Sequence, residues 1–131
     1  MTPYEHSILS VKKFGGKPKH YLKIHKFLDS TKGHLPDYRH RSILHNSWGM
    51  LLCEQIFGSI TKNNISVREV ARQHILEDCQ IVPTLKDCIE AIQNKEYTKY
   101  NNPNKKDINF LKEKLYERNK EKTKKSIRIR K

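Results

Sequence analysis

Asp37-Tyr38-Arg39-His40-Arg41-Ser42-Ile43-Leu44-His45 opens the stretch that decides the fold. The chain continues apolar through Trp48, Met50, Leu51, Leu52, Ile56 and Phe57 to Gly58. Apolar residues on more than one side of a helix mean burial by several neighbours. The spacing therefore predicts one helix over 36–57, with Pro36 in its first turn, as the most buried helix of the chain. Two histidines and two arginines stand at its start. A polar group that enters a core without a partner costs about 1–3 kcal/mol, so this stretch needs partners elsewhere in the sequence.

Working outward, the same 3.6-residue period recurs on both sides. Thr2 caps a first helix with Pro3 at its first position, and Gly15-Gly16 stops it. A phosphate-cradling role for that glycine pair is disfavoured, because no preceding strand or following Lys-Ser/Thr accompanies it. Pro18 begins a second helix carrying Tyr21, Leu22, Ile24, His25, Phe27 and Leu28, which ends near Lys32-Gly33. Lys62-Asn63-Asn64 is a turn within a short hairpin over 59–65. Ser66 with Glu69, and Thr84 with Asp87, are capping boxes that start helices at Val67 and Leu85. The expected fold is all-α: a compact bundle of about five helices over 1–94, a linker over 95–104, and a basic helical tail over 105–131.

The 131 residues carry a formal net charge of +13, unevenly placed. Residues 1–94 hold 13 Lys/Arg against 9 Asp/Glu, whereas residues 95–131 hold 14 against 5. Such a surface attracts nucleic acid or an acidic protein, with salt-dependent strength. The end of the tail, with Lys124, Lys125, Arg128, Arg130 and Lys131, reads as a nucleic-acid-contacting arm or as a solubilising tail. Tyr97 and Tyr100 could stack on bases. Cys53, Cys79 and Cys88 have no CxxC spacing and are odd in number, which fits a reducing cytoplasm and argues against a zinc finger or a disulfide framework. A secretory signal and a membrane span are not expected.

Chemistry concentrates on histidine. His74 and Asp78 are four apart on one helix, so they share a face and can chelate one divalent metal ion, or the carboxylate can orient the imidazole. His40 and His45 are five apart and diverge by about 140° on a regular helix. His45 is therefore the one expected to meet His74 and Asp78, with Gly49 letting a second helix or a ligand come close. His25, His40 and Glu54 are further candidates. Arg39 and Arg41 sit at the positive end of the helix dipole, which suits a bound anion or pairing with Asp37 and Asp29. Two readings stay open for the histidines: a metal site of a hydrolase or phosphoesterase, and satisfied hydrogen-bonding groups inside a core. Covalent catalysis is disfavoured, since no Ser or Cys lies in a nucleophile motif. An inhibitor that binds another protein's acidic surface fits the same charge.

Residues from Tyr4 to Ile92 carry a combination of pieces. They include His6, Ser10-Val11-Lys12-Lys13-Phe14-Gly15-Gly16, Tyr21-Leu22-Lys23-Ile24-His25, Asp29-Ser30-Thr31-Lys32, Arg39-His40-Arg41, Leu44-His45, Gly49, Glu54 and Phe57-Gly58. Gln73-His74-Ile75-Leu76-Glu77-Asp78 and Ile81-Val82-Pro83-Thr84 complete it. This combination resembles a family of small bacterial and phage proteins of unknown function. The resemblance implies one shared histidine-rich domain and no catalytic roles. Cys79 and Cys88 stand where that pattern has Gly and Trp, and the basic tail lies outside it.

Overall fold

The computed structural model describes residues 1–35, 38–96 and 98–130, with backbone alone for 38 and 124–130. The expectations placed on Pro36, Asp37, Tyr97, Lys131 and the side chains of Lys124, Lys125, Arg128 and Arg130 lie outside the described residues. The fold is all-α. Among the described residues seven α-helices run in the order α1 Pro3–Phe14, α2 Leu22–Leu28, α3 Arg41–Leu44, α4 Ser47–Phe57, α5 Val67–Cys79, α6 Leu85–Gln93 and α7 Lys105–Arg130. Short 3-10 turns at Pro18–His20, Ser30–Gly33 and Tyr38–His40 lead into or out of α2 and α3. The expected hairpin reduces to a single bridge between Ile60 and Ser66.

The expected single helix over 36–57 does not form. His45 leaves the helical region at ψ 58°, and Asn46 is fully extended. The Asn46 side chain explains the break. Its Nδ2 donates to the carbonyls of Ser42 (3.0 Å) and Ile43 (3.1 Å), satisfying the end of α3. Its Oδ1 accepts from the Gly49 N–H at 3.0 Å, capping α4. One asparagine thus ends one helix and starts the next. Gly49 is required for that corner rather than for a second helix or a ligand: a Cβ there would meet the Leu44 carbonyl oxygen at 1.7 Å.

The centre of the bundle is α5, not the 36–57 stretch. Val67, Val70, Ala71, Gln73, His74, Ile75, Glu77, Asp78 and Cys79 of α5 are all buried, and only the Arg68–Glu69–Arg72 side of its first turns faces solvent. The helices α1, α2 and α4 pack directly against it. By contrast α4 buries only Gly49 and Cys53 and leaves Trp48, Leu51 and Ile56 exposed. Tyr21, Ile24, Leu28, Leu44, Cys53, Val67, Val70 and Ala71 form the apolar core. All three cysteines are buried free thiols, and burial pushes Cys53 and Cys79 up to about 12. They behave as small apolar groups.

Among the described residues no helix is long and apolar enough to cross a membrane. The linker before α7 is tied back to the domain. Asn102 N–H donates to the Asp78 carbonyl at 3.0 Å, and Asn104 N–H to the Glu77 carbonyl at 3.3 Å. The helix α7 then packs its first turns on α1 through buried Leu111, and beyond Leu115 its described side chains are exposed.

Candidate metal centre

Four ligand atoms from four places in the chain converge beside the C-terminal half of α5. His74 Nε2 and Asp78 Oδ2 come from one face of α5, 3.4 Å apart. His45 Nε2, at the break between α3 and α4, lies 3.0 Å from His74 Nε2 and 2.9 Å from Asp78 Oδ2. Asp29 Oδ1, at the end of α2, lies 3.2 Å from His74 Nε2 and 3.5 Å from His45 Nε2. Donors about 2.0–2.2 Å from one ion sit about 3.0–3.5 Å from each other, so these separations match a shared cation. All four side chains are buried or nearly so, and they could hold one metal ion.

Behind this cluster runs a ring of buried hydrogen bonds whose direction can be worked out. Gln73 Nε2 donates to Glu77 (2.7 Å) and to the His6 carbonyl (3.0 Å), which turns Gln73 Oε1 toward Ser10. Ser10 Oγ–H donates to that oxygen. The hydroxyl has one proton, so His25 Nε2–H must donate to Ser10 Oγ, 2.8 Å away. Burial, then the neighbouring His74 and His6, hold His25 well below the ordinary imidazole range, so it is neutral and its Nδ1 accepts. The 2.9 Å contact between His25 Nδ1 and His74 Nδ1 is therefore donated by His74. Burial, followed by His6 and His45, likewise keeps His74 neutral. Its Nε2 thus presents a lone pair, aimed at the carboxylate oxygens of Asp29 and Asp78.

His6 closes the ring on the other side. Its Nδ1 donates to Glu77 Oε1 at 2.7 Å and its Nε2 faces Asp78 Oδ1 at 3.4 Å. Burial alone would lower the His6 pKa; bonds and charge from Asp78 and Glu77 outweigh that and raise it to about 9. Burial pushes Glu77 up. It opposes ionisation of Asp78 too, but His45 and His6 hold that carboxyl far below the usual carboxylate range. His45 Nδ1 and Asp29 Oδ2 are buried with no hydrogen-bond partner among the described residues.

The sequence brought His45, His74 and Asp78 forward, and the fold sets their ligand atoms together. His25 stands one step behind, holding His74 rather than joining the four. His40 is buried with its ring edge-on to His45 at 6.1 Å and is not among the four converging residues. Glu54 is elsewhere, paired on the surface with Arg68 at 2.6 Å. Arg41 turns inward: it donates to Asn101 Oδ1 and lies 3.7 Å from Asp78 Oδ1. In the sequence Asp29 stands as an arginine partner and, with His6, as part of the resemblance. Neither has helical spacing to His74, so pattern reading had no signal for them. Arg41, Ser42, His45 and Asn101 line a cavity of about 10 Å³ beside the cluster, room for about one water.

No curated protein and no solved structure matches the chain. A family model described as Domain of unknown function (DUF6915) matches residues 1–98, a span that holds every residue of the cluster and of the ring behind it. The chain belongs to that family of unknown function.

Proposed function

We propose that the protein holds one divalent transition-metal ion on Asp29, His45, His74 and Asp78 and uses it in hydrolysis of a phosphate ester. One observation carries the reading. The ring of hydrogen bonds leaves the His74 Nε2 lone pair 3.2 and 3.4 Å from two carboxylate oxygens; the one proton that His45 Nε2 can carry, 3.0 Å from His74 Nε2 and 2.9 Å from Asp78 Oδ2, does not separate all three acceptors, whereas a cation among them would. Two imidazoles with two carboxylates suit zinc, iron, manganese or nickel. The ring of Ser10, His25, Gln73, Glu77 and His6 is the outer support that fixes ligand tautomer and orientation. Bound there, such an ion would supply a water activated as a nucleophile near neutral pH. The small cavity at His45, with room for about one water, lies alongside the four residues. Arg41, on the wall of that cavity, offers a guanidinium to an anionic substrate.

Metal analysis of the purified protein tests this. About one equivalent of metal per chain is expected, with under a tenth in His74→Ala and in Asp29→Asn. Adding Mn or Zn to the metal-free protein at 100 times Kd should raise stability by about 2.7 kcal/mol. The Mn-loaded protein should hydrolyse bis(p-nitrophenyl) phosphate, and the variants should not. Absence of stoichiometric metal together with an unmoved melting temperature would falsify the centre.

A second reading rests on charge. Residues 95–131 carry most of the +13, and among the described residues α7 exposes Lys112, Lys114, Arg118, Lys120 and Lys122. That favours contact with nucleic acid or another acidic macromolecule.

A further inference from the structure

On the face of α2 away from the histidines lies a groove of about 430 Å³. Lys19 and Lys23 form one wall, four residues apart, and Lys62 stands on the opposite wall. Ile24, Phe57 and Ile60 supply the apolar part of the lining. Among the described residues no acidic side chain lines it. His20 is also on the rim; its Nδ1 accepts from the Lys17 N–H at 3.0 Å, which leaves Nε2 as the donor.

The two walls are locked to each other. Tyr21 OH donates to the Gly15 carbonyl at 2.6 Å and accepts from Asn63 Nδ2 at 2.8 Å. Asn63 in turn belongs to the turn that carries Lys62, closed by Thr61 N–H to the Ile65 carbonyl at 2.8 Å. Gly16 makes this possible: a Cβ there would meet Asn63 Nδ2 at 2.6 Å. The segments that carry the three exposed lysines are therefore joined to each other at the gap.

The size and charge narrow the occupant. A bare phosphate is far smaller than the gap, and a single carboxylate does not need three ammonium groups. A flat apolar body bearing phosphate fits both halves. We propose that this groove binds a nucleotide, its phosphates on Lys19, Lys23 and Lys62 and its base against Phe57 and Ile60. The nucleotide is either free or one unit of a single strand. This site is separate from the metal centre and does not depend on it.

The test is titration calorimetry on the full chain in EDTA, which removes the metal question. ATP, AMP, tripolyphosphate and a short oligothymidylate are the probes. Lys23→Gln/Lys62→Gln should weaken nucleotide or strand binding by about tenfold or more, as expected for two lost charge-assisted contacts. The charge-matched control Arg72→Gln/Lys86→Gln, on exposed positions of α5 and α6 outside the groove, should stay within about twofold of the parent. Binding of ATP and AMP identifies a free nucleotide; binding of the oligothymidylate alone identifies a strand. Equal losses in both double variants, tripolyphosphate binding as tightly as ATP, or no binding of any probe at about 1 mM would each overturn the proposal.

Discussion

A methyl group added at Gly49 would meet the Leu44 carbonyl oxygen at 1.7 Å, and that oxygen belongs to backbone that cannot step aside cheaply. Gly49→Ala should destabilise the metal-free protein by about 3 kcal/mol, read by urea unfolding, because overpacking here opens the α3–α4 corner. It should also weaken metal binding, since His45 sits on that corner. His6 sets a second prediction at this scale. Its pKa is 6.5 in an unfolded chain and about 9 in the fold, so its stabilisation is complete below 6.5 and lost as pH climbs through 9. His25 and His74 act in the opposite sense. Their folded pKa values lie below 6.5, so the unfolded chain gains protons first as pH drops and stability falls in acid. Unfolding followed in EDTA should show stability falling on both sides of the region near pH 6.5, with the alkaline fall absent in His6→Gln. Stability unchanged from 6.5 to 9 in the parent would rule out a charged His6.

At the scale of elements, α1 and α5 are joined less by apolar contact than by the polar ring. Ser10 is its hinge point, touching His25 of α2 and Gln73 of α5 together. Ser10→Ala should lower metal affinity by about 10–100-fold, the usual cost of removing an outer support of a ligand, measured by competition with a chelator. The same change leaves two buried polar atoms unpaired and should cost about 1–3 kcal/mol of stability. Affinity equal to the parent would mean that the ring does not hold His74. Much of the local structure was open to sequence reading. Thr84–Asp87 is the reciprocal cap its spacing implied, Thr2 caps α1 with Glu5 completing a box there, and Ser66 accepts from the Glu69 N–H, half of the box expected at α5. The 36–57 stretch misled because its apolar period runs straight across Asn46. The side chain of Asn46 reaches backward to Ser42 and Ile43 as well as forward to Gly49, and hydropathy carries no trace of that geometry.

For the whole molecule, charge and the His/Asp cluster sit at different places. The cluster is buried around α5, whereas α7 extends beyond its contact with α1 as an exposed basic helix. Truncation after Glu117 keeps Leu111 in place against α1 and removes the rest of the helix. Nucleic-acid affinity should then fall, and the slope of log K against log salt should flatten. An unchanged slope in a fluorescence-anisotropy titration would assign the charge to another role. The metal content of the truncated chain should match the parent, because no ligand lies beyond Asp78.

The sequence by itself determined the helical class, the caps, the buried cysteines, the lopsided charge and the pairing of His74 with Asp78. All of these depend on neighbours a turn apart or on composition alone. Only the tertiary structure decided that α5 is the centre, that His45 is freed from a helix to reach it, and that Asp29 and His6 belong with it. The reason is distance along the chain: Asp29 and His6 meet His74 and Asp78 across separations of 45 and more residues. No local period encodes such a meeting. It follows from how α1, α2 and the Asn46 corner pack around α5.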